Sequence, residues 1–156
     1  MRRTMLVLIV MVATLILASG VVLAVARSGG PGNDLLIGTL GSDLLKGRGG
    51  DDTVRGLAGT DQLYGGDGDD YIKGGPGSDG YYPGPQFYAG LYGGPGQDVL
   101  IGGDGGDDLY GAWYSGASDG QRDWLYCGNG HDAYASDRFD YVSSSCEIKM
   151  KFVRVD

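Results

Sequence analysis

The chain has one histidine, two cysteines and two tryptophans in 156 residues, and the first two shortages each close a class of chemistry. His131, the lone histidine, shows no obvious partner constellation in the sequence, so it reads as a solvated loop residue rather than a general base. Two cysteines 19 residues apart with one histidine cannot supply the four closely spaced N/S ligands of structural zinc. Basic residues are also scarce. Twelve Lys+Arg stand against 20 Asp+Glu, a formal net charge of −8, which makes nucleic acid and anionic membrane surfaces poor partners. The glycine-rich stretches are not followed by a helical pattern, so they are no dinucleotide fingerprint. Pairs such as Asp51-Asp52, Asp69-Asp70 and Asp107-Asp108 resemble glycosidase carboxylates, but their recurrence reads as metal loops with one spare surface acid. The Ser143-Ser144-Ser145 run reads as loop. No enzymatic activity is expected.

What the chain has in excess is glycine, 32 residues, and the glycines are periodic. GGPGNDLLI begins at Gly29, GTLGSDLLK at Gly38, GRGGDDTVR at Gly47, GLAGTDQLY at Gly56, GGDGDDYIK at Gly65 and GGPGSDGYY at Gly74. GGPGQDVLI at Gly93 and GGDGGDDLY at Gly102 follow. A fixed period is the signature of stacked repeats. Position 6 is always Asp (Asp34, Asp43, Asp52, Asp61, Asp70, Asp79, Asp98, Asp107) while positions 3 and 5 vary, which selects a single oxygen ligand. The glycines at positions 1 and 4 are read as sites of positive φ. Position 8 holds Leu36, Leu45, Val54, Leu63, Ile72, Tyr81, Leu100 and Leu109, so a three-residue strand would point its middle side chain inward.

The phrase resembles the hemolysin-type calcium-binding (RTX) repeat, GGxGxDxUx with U apolar. The resemblance implies an all-β fold, a right-handed parallel β-roll (β-solenoid) in which two nonapeptides make one coil of 18 residues. It also implies Ca²⁺ between stacked turns, with loop carbonyls and the position-6 aspartates as an all-oxygen shell. Two degenerate copies extend the ligand set: Asp123-Trp-Leu-Tyr supplies Asp123, and CGNGHDAYA from Cys127 supplies Asp132. Ten of the 19 aspartates then fall on the repeat position. One apolar side chain per nine residues, ~1.5–3 kcal/mol, does not offset backbone ordering at ~1–2 kcal/mol per residue, so calcium is expected to be structural.

Residues 1–26 stand apart. Arg2 and Arg3 precede an apolar run that ends in Ala24-Val25-Ala26, the pattern of a secretory signal peptide cleaved after Ala26. The run is also long enough to span a bilayer, and the small-residue ending favours removal over an anchor. The expected product is extracellular, with no membrane contact in its mature form. Export places Cys127 and Cys146 in an oxidising compartment, where a disulfide is expected. The repeats are assigned to residues 27–135, with 83–92 and 111–119 irregular, and a disulfide-linked C-terminal cap to 136–156. Short secreted members of the family end in a similar CGxGxD…CE block, and a solenoid needs an atypical terminal unit.

Residues 84–92 read as a decayed repeat with Ala89 in the Asp position. Counted so, one row of ligands runs Asp34, Asp52, Asp70, Ala89, Asp107, Asp132 and the other Asp43, Asp61, Asp79, Asp98, Asp123. Tyr81, Tyr82, Phe87, Tyr88 and Tyr92, with Trp113 and Trp124, form an aromatic set that packs over the irregular repeat or, in the alternative reading, serves a cell-surface or glycan ligand.

Overall fold

The computed structural model describes residues 23–80, 89–112 and 119–150. Among these there is no helix, and thirteen strands form two parallel sheets. The strands are β1 (Ala26–Ser28), β2 (Leu35–Ile37), β3 (Leu44–Gly49), β4 (Thr53–Arg55), β5 (Gln62–Asp67), β6 (Tyr71–Pro76), β7 (Gly90–Tyr92), β8 (Val99–Asp104), β9 (Asp108–Tyr110), β10 (Trp124–Asn129), β11 (Ala133–Ala135), β12 (Tyr141–Val142) and β13 (Ile148–Lys149). One sheet runs β1-β3-β5-β7-β9-β11-β13 and the other β2-β4-β6-β8-β10-β12. The chain therefore crosses from sheet to sheet at every turn. Each strand pairs with the strand two places on, which is the topology of a parallel β-roll.

The side-chain period of two explains the core. In each three-residue segment the middle side chain points between the sheets, and identical positions stack: Leu45 on Leu63, Leu63 on Leu91, Leu91 on Leu109 in one sheet, and Leu36 on Val54, Val54 on Ile72, Ile72 on Leu100, Leu100 on Leu125 in the other. These leucines, valine and isoleucine, with Cys127, form one buried column. Outside the first sheet, Tyr64, Tyr92 and Tyr110 stack at centroid separations of 4.7 and 4.6 Å, and Lys46 Nζ lies 5.2 Å from the Tyr64 ring centre. Tyr92 is 3% exposed, so this member of the aromatic set is packed. Tyr81, Tyr82, Phe87, Tyr88 and Trp113 lie outside the described residues, as do residues 1–22 and 151–156.

Three expectations change. Several strands are six residues rather than three, because the parallel ladder runs on through the first turn residues, pairing Arg48 with Gly66 and Gly75 with Gly103. The stretch 84–92 is not an extra repeat. Gly90 donates to the Asp61 carbonyl as the first strand residue of a coil does, and Leu91 takes the inward place that the nonapeptide count gave to Tyr81. Residues 80–89 are thus an insertion between the turn ending at Asp79 and its strand β7. Finally, the C-terminal cap continues the roll, adding β12 to one sheet and β13 to the other.

Candidate metal centre

Each strand from β2 onward except β7, which follows Ala89, is preceded directly by an acid, and the coils clamp that acid on both sides of its backbone. Its carbonyl accepts the first strand N–H of the next coil, as Asp52 does from Tyr71 at 2.9 Å. Its own N–H donates to a carboxylate oxygen of the acid one coil later: Asp43 to Asp61 at 2.8 Å, Asp52 to Asp70 at 2.7 Å, Asp61 to Asp79 at 2.8 Å. Followed through, these bonds define two rows. One is Asp34, Asp52, Asp70, Asp98, Asp123, and the other is Asp43, Asp61, Asp79, Asp107, Asp132.

This corrects the row assignment made from the repeat count. Asp70 meets Asp98 and Asp79 meets Asp107 across 28 residues instead of 18, because ten extra residues of sequence, 80–89, stand between Asp79 and β7. Ala89 stands in neither row, and neither row is interrupted. A second insertion of seven residues separates Gly111 from Asp123, making the next intervals 25 residues.

The carboxylates are buried in a setting that disfavours their charge. Nine of the ten repeat aspartates are 3% exposed or less. Their Oδ1 atoms take the inter-coil bonds, but Oδ2 of Asp52, Asp61, Asp70, Asp98, Asp107 and Asp132 is buried with no hydrogen-bond partner. Burial is the main force raising their pKa values, with the charge of row neighbours adding to it and the backbone bonds opposing it. Asp61 is pushed up to about 6, Asp70, Asp79, Asp107 and Asp123 to about 7, and Asp98 to about 9. A buried, unpartnered anionic oxygen is costly unless a cation sits against it.

The glycines divide this labour differently from the sequence reading. Positive φ occurs at positions 2 and 4 of the turn, for example Gly66 and Gly68. Position 1 has ordinary φ and is glycine for room, since a Cβ at Gly47 would overlap Asp52 Oδ2 and one at Gly65 would overlap Asp70 Oδ2. Arg48 and Leu57 occupy position 2 with φ of 92° and 86°, a conformation that costs an L-residue roughly 1–2 kcal/mol. Leu57→Gly is therefore expected to stabilise the roll by about 0.5–1 kcal/mol after the entropy that glycine adds to the unfolded chain. Thermal unfolding of both proteins in the same metal buffer checks it, and an unchanged or lowered midpoint would remove the strain argument.

Among the described residues no three His, Cys, Asp or Glu side chains converge on one point. A metal here must take one carboxylate per turn and complete its shell from backbone carbonyls and water. That donor set, all oxygen and irregular, suits Ca²⁺ rather than zinc or a softer metal. The orphaned Oδ2 atoms and the cleared glycine positions fit such an ion. The RTX calcium-binding nonapeptide repeat family, in 4 copies, matches residues 28–63, 49–81 and 91–113. The chain carries the nonapeptide repeats of this RTX family. The match breaks between 81 and 91, in the region of the insertion. No curated protein and no solved structure matches the chain.

Two acids of the RTX roll escaped the repeat count. Asp123 N–H donates to Asp140 Oδ1 at 3.1 Å and Asp132 N–H to Glu147 Oε2 at 3.0 Å, so each row gains a terminal member in the cap. The legible signal was an acid directly before a short apolar segment, Asp140 before Tyr141-Val142 and Glu147 before Ile148, without the glycines. Cys127 and Cys146 form the expected disulfide, with Cα atoms 5.1 Å apart. His131 is almost fully exposed, 3.5 Å from Glu147, in keeping with a loop residue.

Proposed function

We propose that this RTX-repeat protein is an exported, non-enzymatic calcium binder whose roll assembles on the metal. Calcium is the ligand to which the family match points, and the observation that carries the reading is the pair of uninterrupted acid rows with unpartnered buried Oδ2 atoms. Asp34, Asp43, Asp52, Asp61, Asp70, Asp79, Asp98, Asp107, Asp123 and Asp132 supply the charged oxygens, and turn carbonyls of adjacent coils supply the rest. Bound calcium offsets the repulsion along each row, while the backbone bonds between successive acids fix the spacing of the coils. The signal-like composition of residues 1–26 supports export. Outside the cell the metal is plentiful, and weak extracellular modules bind it at ~0.1–1 mM.

The two rows make a quantitative test. Asp70 and Asp61 are interior members of different rows, each with an acid on either side. Asp70→Asn and Asp61→Asn each keep the side-chain acceptor and remove the charge. Equilibrium dialysis of calcium is expected to give fewer bound ions per chain for both variants, by similar amounts. Unchanged stoichiometry and affinity in both would overturn the assignment of the rows as ligands.

A further inference from the structure

The C-terminal cap does more than cover the last coil. Asp132 stands to Asp107 as Glu147 stands to Asp132: in each case the earlier acid's N–H donates to the later acid's carboxylate, at 2.9 and 3.0 Å. The interval has fallen to 15 residues, and the longer glutamate side chain spans what the shorter chain leaves. Asp132 itself is fully buried, and its Oδ2 has no partner, the condition found along the interior of the rows. The turn that contains Asp132 begins with Cys127, which is fully buried and occupies the place that glycine holds in the other turns. Its disulfide partner, Cys146, immediately precedes Glu147. On the other side of Glu147, Ile148 N–H donates to the Asp132 carbonyl at 3.0 Å.

We infer that Glu147 is the carboxylate of a terminal calcium site shared with Asp132, and that the Cys127–Cys146 disulfide holds it in the row. The inference rests on the calcium reading of the rows. Among the described residues no further coil follows Glu147 to fix it from outside, and the cross-link does so instead: it ties the first residue of the Asp132 turn to the residue before Glu147. Without the bond, residues 143–147 would be tied to the roll by hydrogen bonds such as Ser143 N–H to the Leu125 carbonyl and Gly128 N–H to Ser145 Oγ. Oxidation of the cysteine pair would then raise calcium affinity at this end of the roll, and calcium bound there would resist reduction of the pair, since coupling between two equilibria is reciprocal.

Glu147→Gln separates a ligand from a mere cap, because the amide oxygen still accepts the Asp132 N–H while the charge is gone. At about 1 mM free Ca²⁺, the intact protein is expected to bind one more ion per chain than the Glu147→Gln variant in equilibrium dialysis, with the disulfide still formed by mass and the strand signal in circular dichroism retained. The Cys127→Ser/Cys146→Ser variant should show the same deficit, or at least a tenfold weaker last site. In the disulfide-bonded protein, calcium should slow reduction by dithiothreitol, and Glu147→Gln should abolish that slowing. Equal stoichiometry, equal affinity and equal protection in the glutamine variant would overturn the inference while leaving the rows intact. A parent protein that binds no calcium would overturn both readings.

Discussion

Stripped of calcium at neutral pH, the chain from residue 27 onward is expected to lose most of its strand signal and to recover it when calcium is returned. Successive acids of each row stand in adjacent coils, and carboxylates one strand spacing apart, ~4.8 Å, repel by roughly 3–4 kcal/mol at an effective dielectric of about 20. A domain's net stability is only ~5–15 kcal/mol, so a few such pairs are enough to decide whether the roll forms. The apolar column cannot make up the difference, because each coil contributes two inward side chains and the turns between them are glycine-rich. Binding to the folded form alone stabilises it by mass action, and a site assembled from two coils does not exist in the unfolded chain. Far-UV circular dichroism in chelator and in ~1 mM Ca²⁺ makes the comparison. A chain equally structured in excess chelator would sink the idea.

Acid is expected to replace calcium in part. In the unfolded chain the aspartates titrate near 3.9, whereas in the roll burial raises Asp61 to about 6, Asp70 and Asp79 to about 7 and Asp98 to about 9. Between those limits the folded state holds more protons than the unfolded one, so metal-free stability falls as pH rises. The protons' contribution is complete below about pH 4 and is lost through the window from about 6 to 9. Each group contributes up to about 1.4 kcal/mol per pH unit inside its window, and row neighbours titrate as coupled sets. In chelator, lowering the pH from about 9 toward 4 should therefore raise strand signal and thermal midpoint. With calcium present the sign reverses, since protons compete for the same oxygens and the calcium midpoint should rise as pH falls. Loss of structure on acidification in chelator would refute the account of the rows as buried, mutually repelling carboxylates.

Much of the molecule was written locally. The period placed an acid before most of the strands and an apolar residue at their centres, and for Leu36 through Ile72 the inward positions are those the phrase predicts. The side-chain alternation of a strand and the steric freedom of glycine act within a few residues, so a nine-residue phrase carries them in full. Local reading failed where two glycines of one phrase serve different ends. Gly65 and Gly66 look alike in sequence, yet one is there to clear Asp70 Oδ2 and the other to hold positive φ.

The stacking of coils was decided only in three dimensions. GPQFYAGLY keeps the length, the first glycine and the apolar position 8 of a repeat but not its Asp, and only the pairing in space shows that Asp70 reaches Asp98 and that Leu91 sits on Leu63. An insertion costs little when its ends stay close together, so the sequence carries no penalty that marks it as one. The same applies at the C-terminus, where Asp140 and Glu147 join the rows without glycines around them. Composition and period determined an oxygen-rich, repeat-built roll. Which acid faces which, and so which oxygens can share an ion, depended on closure of hydrogen bonds between coils, an interaction that no nine-residue window contains.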